Sequence, residues 1–153
     1  MRMVLAVLLS LTSEAAAARE PVGLQVFCLR EPAHAACAPV RRDAQADVSR
    51  ALLDRVNRHV NETMRYRADA RNTWSSGGAA GDCEDFALTK MQALRAAGVP
   101  AGAMSMAVVR TPRGEGHAVL VVRVRGARLV LDNARGDIQR LEDTGYRVVW
   151  VQD

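Results

Sequence analysis

Aromatic residues are scarce in this chain: two Phe, two Trp and two Tyr make up 4% of 153 residues. Its core must therefore rest on Val, Leu, Ala and Met, and no stripe of arginines interleaved with rings is present to bind nucleic acid. Long apolar runs are also missing. Met3 to Leu11 is an apolar stretch, well short of the roughly 20 residues that span a bilayer, so no stable membrane insertion is expected. No C-x-x-C pair occurs, which argues against zinc. Internal repeats are absent, and Ala15 to Ala18 is the sole low-complexity tract.

What remains is ordinary globular material, 49% hydrophobic and 25% charged, in a length that suits one domain with a real core. The balance is basic, +4, and nearly all of the positive charge is arginine. These arginines scatter along the chain among acids, as on a solvated surface, and no nucleic-acid partner is expected. The N-terminus reads as a targeting segment. Arg2 supplies a small positive region, Met3–Leu11 an apolar core, and Ala16-Ala17-Ala18 a cleavage site. Residues 1–18 are thus expected to be a signal peptide and residues 19–153 the mature domain, periplasmic or secreted. In such a compartment the three cysteines divide naturally into a Cys28–Cys37 disulfide and a free, reactive Cys83.

Hydrophobic spacing predicts a helix over Asp47 to Tyr66, where Val48, Leu52, Val56 and Val60 recur at i+4 and Asp47 stands as N-cap. Val22 to Leu29 reads as a short strand or an extended lead-in. A second helix is expected from Cys83 to Ala97, capped by Asp82 and stopped by Gly98 and Pro100. Cys83, Ala87, Met91 and Leu94 share one face of it. Strands follow at Ala103–Val109, Ala118–Val124, Arg128–Asp132 and Tyr146–Val151, with Gly126 joining the middle pair as an antiparallel hairpin. The class is α+β.

Asp82-Cys83-Glu84-Asp85, Gly116-His117-Ala118 and Leu131-Asp132-Asn133 bring chemistry to this frame. They supply a thiol opening a helix, an imidazole beginning one hairpin strand and a carboxylate ending the other. That is the layout of a cysteine nucleophile, its general base and the group that orients the base. Taken singly, each has a plain reading: a buried thiol, a strand-start histidine, an Asp-Asn turn. Their joint arrangement points to catalysis. A helix N-terminus lowers a thiol's pKa, yet Glu84 and Asp85 beside it push the other way. Those acids could cap the helix, pair with arginines or hold a cation such as Ca²⁺. Counting from Gly126 sets Asp132 opposite Val119 to Val121, so contact with His117 should need a bulge or a slipped register. Asn61-Glu62-Thr63 matches a glycosylation sequon on a helix, and His34, His59 and the Arg41-Arg42 pair are expected at the surface.

Gly81-Asp82-Cys83-Glu84-Asp85-Phe86-Ala87-Leu88, Gly98-Val99-Pro100, Gly116-His117-Ala118-Val119-Leu120 and Val130-Leu131-Asp132-Asn133 resemble the bacterial transglutaminase-like cysteine peptidases. Phe27-Cys28 with Cys37, and Val56-Asn57 with Val60-Asn61, resemble that family's amino-terminal half. The resemblance implies a papain-like, transglutaminase-type fold, with the cysteine at a helix N-terminus packed on an antiparallel sheet. It implies Cys83 as nucleophile, His117 as general base and acid, Asp132 as orienter, and a protein or peptide substrate. Some relatives are periplasmic proteases that release surface adhesins and depend on calcium held by acids matching Asp82 and Glu84. Relatives also carry an acid two positions before a tryptophan, where this chain has Asn72 before Trp74. The expected activity is peptide hydrolysis through a thioester. Its rivals are transfer of the same acyl group to an amine, as in a transglutaminase or amidase, and a non-catalytic calcium- or protein-binding module.

Overall fold

The computed structural model describes residues 19–153. The expected signal peptide, residues 1–18, lies outside the described residues. Three helices, α1 (Val22–Arg30), α2 (Arg50–Thr63) and α3 (Cys83–Ala96), precede most of the sheet. Five antiparallel strands follow: β3 (Met104–Arg110), β4 (Gly116–Val124), β5 (Ala127–Leu131), β6 (Gln139–Arg140) and β7 (Arg147–Val151), in the spatial order β6-β5-β4-β3-β7. A short parallel pair, β1 (Arg65–Tyr66) and β2 (Ala80–Gly81), lies just ahead of α3.

β4 is central and buried on both faces, which explains its unbroken apolar sequence. Leu120 and Val122 join Leu88, Met91, Leu94, Met104, Met106 and Leu131 in the main core beneath the helices. Val119 and Val121 point the other way, against Ala107, Val109, Val130 and Leu141. The β4–β5 hairpin closes at Val124 and Ala127, with Arg125 at φ 49° and Gly126 at φ 81°. Two consecutive left-handed residues make the tight turn whose twist suits a hairpin. This register is what brings the candidate imidazole and carboxylate to one end of the sheet.

Several expectations need correction. Val22–Arg30 is a helix, not a strand or extended lead-in. Its exposed Val22, Val26 and Leu29 hide the periodicity, while Leu24 and Phe27, three apart, are buried. Gly23 lies so close to the Trp74 indole that an added Cβ would overlap the ring. α2 is shorter than Asp47–Tyr66 at both ends. Ala46 N–H is tied to Arg123 O at 2.7 Å, which keeps the chain extended until Ser49. Ser49, rather than Asp47, then caps the helix by accepting from Leu52 N–H at 3.2 Å. At the other end Arg65 and Tyr66 leave the helix to pair with Ala80 and Gly81.

The Cys28–Cys37 disulfide forms as expected. His34 within its loop is buried, not at the surface. Its Nδ1 accepts from Ala36 N–H at 3.0 Å and its Nε2 meets Leu88 O at 3.2 Å, so the loop is pinned to α3. Burial lowers the His34 pKa, as a neutral ring in this bonding requires. Among the described residues no helix is long and apolar enough to cross a membrane.

Candidate active site

Asp82, Cys83 and Asp85 are arranged by the way α3 begins. Asp82 is the N-cap, and a reciprocal capping box links it to Asp85 three residues on. Asp85 Oδ2 accepts from Asp82 N–H at 3.2 Å, and its Oδ1 accepts from Ser75 N–H at 2.6 Å and Ser75 Oγ at 3.0 Å. Asp85 therefore fastens the preceding loop to the helix start. This tight packing needs Gly81, where a Cβ would overlap the Asp85 side chain. The capping alternative for these acids thus holds for Asp82 and Asp85. No arginine pairs with Asp82, Glu84 or Asp85 among the described residues.

The carboxylates crowd one another instead. Burial, a hydrogen bond to Glu84 and the charges of Glu84 and Asp85 push Asp82 up to about 7. Cys83 is half-buried, and its Sγ–H donates to Glu84 Oε2 at 3.1 Å. Burial, then the charge and hydrogen bond of Glu84, push the thiol up to about 12, against the lowering effect of the Ala118 N–H. That N–H belongs to the residue after His117, so the thiol lies at the start of β4. The thiol is engaged with Glu84 rather than with His117.

His117 and Asp132 do meet. Nε2 of the imidazole lies 2.8 Å from Asp132 Oδ1. No bulge interrupts β4 and β5: Leu120 faces Leu131, and Asp132 follows opposite Val119. The contact is the ordinary diagonal between residues two apart across a pair of strands, within reach of a long imidazole. The expected bulge or slipped register is therefore not required.

The Asp132 carboxylate is held on every side. Ala134 N–H donates to Oδ1 at 2.8 Å and Tyr146 Oη to Oδ2 at 2.5 Å. Burial alone would raise the Asp132 pKa, but the hydrogen bonds from His117 and Tyr146, the His117 charge and the Ala134 N–H outweigh it, and the net shift is downward. Tyr146 in turn is pushed up to about 12, first by burial and then by Asp132, so it stays a donor. Its ring stands edge-on to His117, centroids 5.8 Å apart, and Arg135 stacks on it at 4.9 Å.

Sequence reasoning missed Tyr146, whose only signal was its place at the head of the last strand. It also missed the purpose of Asn57 and Asn61. One turn apart on α2, both donate into the loop after β5. Asn57 Nδ2 bonds Arg135 O at 3.2 Å and Gly136 O at 3.3 Å, and Asn61 Nδ2 bonds Asp132 O at 2.9 Å. Asn61 is thereby committed to the site's scaffold and is no free glycosylation acceptor.

An open cleft of about 400 Å³ borders the imidazole, lined by Tyr66, Thr111, Glu115, Gly116, His117, Asn133 and Ala134. Gly116 has nothing within 4 Å of where a Cβ would stand, so a bound chain could approach there. A second cleft of about 430 Å³ runs along Arg67, Asp69, Arg71 and Ser75 to Asp85. As a metal donor set the residues are sparse: no group of three or more His, Cys, Asp or Glu gathers for a cation among the described residues. Asp82 and Glu84 flank Cys83 with like-charged carboxylates, and among the described residues no cation is paired with either.

The family model described as bacterial transglutaminase-like cysteine proteinase matches residues 14–153. Among solved structures, Legionella pneumophila LapG aligns with a TM-score of 0.59 at 25% identity, covering 67% of this chain and 63% of that one. Its calcium-bound form aligns at 0.58 and 24%, covering 67% and 64%, and its EGTA-treated form at 0.57 and 24%, covering 67% and 62%. The chain thus spans less than two thirds of the length of these solved relatives. No curated protein sequence matches. The fold is transglutaminase-like, and the chain belongs to the bacterial transglutaminase-like cysteine proteinase family.

Proposed function

We propose that this chain is an exported cysteine endopeptidase that cleaves a protein substrate through Cys83, His117 and Asp132. One observation carries the reading: an imidazole and a carboxylate joined at 2.8 Å stand beside a helix-terminal thiol in a member of a cysteine proteinase family. Nε2–H of His117 is donated to Asp132, which leaves Nδ1 free as the base. The Cys83 Sγ–H proton passes to Nδ1 once the sulfur leaves Glu84. The thiolate then attacks the scissile carbonyl carbon, and N–H groups at the start of α3 hold the oxyanion. Collapse breaks the C–N bond, and His117 returns the proton to the departing amine. Water, deprotonated by the same imidazole, opens the thioester, and the carboxylic product leaves as the thiol is restored.

The thiol's high pKa shows what the resting arrangement needs. Its causes beyond burial are the carboxylates of Glu84 and Asp82. These two would hold Ca²⁺, as the calcium-bound form of LapG suggests, with backbone oxygens and water completing the six to eight ligands such an ion takes. When bound, the ion would supply positive charge that offsets both carboxylates. The signal peptide over residues 1–18 and a periplasmic or secreted location belong to the same reading, and the Cys28–Cys37 disulfide suits an oxidising compartment.

The test is the pH dependence of Cys83 alkylation by iodoacetamide, with Ca²⁺ or EGTA, in wild type and His117→Ala. In Ca²⁺, fast labelling below the free-thiol pKa of about 8.5, slowed in His117→Ala, is expected. In EGTA, where burial, Glu84 and Asp82 keep the thiol protonated, labelling should be slow. Labelling like that of an ordinary thiol, indifferent to His117, would sink the peptidase reading and leave a binding module. Incorporation of an added amine into a glutamine substrate would instead identify acyl transfer.

A further inference from the structure

Lys90 is the chain's only lysine, and it is fully buried. It lies two turns beyond Cys83 on the same side of α3, beside Phe86, whose ring centroid is 5.8 Å from Nζ. Phe86 packs on Val60 of α2 and on Met64 just past its end, so this flank of α3 faces the helix that carries Asn57 and Asn61. Among the described residues Nζ has no hydrogen-bond partner, although it carries three donors. Oδ1 of Asn57, Asn61 and Asn133 are likewise buried without a donor. All three asparagines belong to one junction: Asn133 sits in the loop after β5, and the other two bond that loop through their Nδ2 atoms. An isolated buried ammonium is strongly unfavourable, so a cation here calls for an answering charge and acceptors. The junction offers both.

We propose that Lys90 is a positioning residue for Asp132: its ammonium answers the Asp132 carboxylate and donates through water to the amide oxygens of Asn57, Asn61 and Asn133. α3, α2 and the loop after β5 are then fixed together as the frame of the carboxylate that orients His117. This rests on the reading of Asp132 as the third catalytic group. Burial lowers the Lys90 amine to about 7, and the charge of Asp132 pulls it back up. Among the described residues Asp132 is the charge that acts on Lys90, and α3 presents the Phe86 ring to it.

A single lysine makes the test direct, because ¹⁵N-lysine labelling gives one side-chain resonance. In the mature full-length domain that resonance is expected to titrate at lower pH in Asp132→Asn than in wild type, by about one unit, the size of a close charge coupling. An unchanged titration overturns the proposal. Lys90→Met, which keeps the volume without the charge, is expected to slow Cys83 alkylation by iodoacetamide about tenfold, the low end of what losing a supporting partner costs. If Asp132→Asn slows alkylation and Lys90→Met does not, Asp132 keeps its role and the proposal for Lys90 fails. If neither slows it, the triad reading fails and takes the proposal with it. A Lys90→Met protein more stable than wild type would also count against the proposal, since it would show the ammonium to be an unanswered charge.

Discussion

Asp132 concentrates more interactions than any other candidate catalytic residue, and its neighbours decide how well it can serve His117. With both oxygens engaged by donors, the carboxylate cannot turn away from the imidazole. Tyr146→Phe removes the donor to Oδ2 while keeping the ring against His117. Leaving a buried carboxylate oxygen unsatisfied costs about 1–3 kcal/mol. The sign with pH follows from the lowered Asp132 pKa. A carboxyl held below its unfolded value contributes stability above that value and loses it as pH falls through the folded one. Urea melts of Tyr146→Phe should therefore show the full loss above about pH 4, shrinking as Asp132 protonates below it. A constant deficit at all pH values would mean that Tyr146 matters for packing alone. Cys83 stands differently: the helix terminus favours its thiolate, but burial and Glu84 prevail, so the sulfur waits on its surroundings.

At the scale of elements, the site depends on how α1 and α3 are anchored. α1 presses Gly23 on the buried Trp74 indole, and Arg30 donates to Trp74 O at 2.6 Å. Trp74 precedes Ser75, the residue Asp85 holds, so this contact braces the loop in front of Cys83. Gly23→Ala sets two effects against each other. Alanine gains up to about 1 kcal/mol of helix propensity, whereas overpacking typically costs about 1–3 kcal/mol. The clash should win, because the indole is buried and its backbone tethered. A lowered denaturation midpoint in urea is the expected outcome, and a raised one would show that Trp74 yields. α2 serves the opposite side of the site. Its paired asparagines reach the loop after β5, a purpose that the i, i+4 spacing of Asn57 and Asn61 allows but does not reveal.

Across the whole molecule, charge around α3 couples stability to pH and, on the proposed reading, would couple it to calcium. Asp82 and Asp85 are both raised, chiefly by burial and then, for Asp82, by Glu84. A carboxyl whose folded pKa exceeds its unfolded value stabilises the fold at low pH and loses that contribution as pH rises through the folded value. For Asp82 the window runs from about 4 to about 7. In EGTA, stability from these groups should fall across that window. Ca²⁺ should raise the Tm at pH 7.5, where the carboxylates are ionised, and change it little near pH 4. Equal melting temperatures with and without Ca²⁺ at pH 7.5 would remove the cation from Asp82 and Glu84.

Sequence alone determined much of this protein, because local rules govern much of it. The i+4 apolar spacing wrote α2, the Asp82 cap and Gly98 stop bounded α3, and Gly126 set the hairpin. Turn chemistry then fixed the register, which carried His117 and Asp132 to the same end of the sheet. Compartment chemistry separated Cys83 from the Cys28–Cys37 pair. Tertiary structure decided the rest, wherever the partner lies far along the chain. α1 is helical because of what Leu24, Phe27 and Gly23 pack against, and α2 ends where the chain is drawn into pairing with residues 80–81. His34 is buried by a carbonyl on α3, 54 residues away. Tyr146 reaches Asp132, and Asn57 and Asn61 reach its loop, across separations of 14 to 79 residues that no local pattern records. The residue types that could do the chemistry were legible in one dimension. The packing that burdens the thiol and steadies the carboxylate exists only in three, since burial and charge proximity are properties of the folded chain.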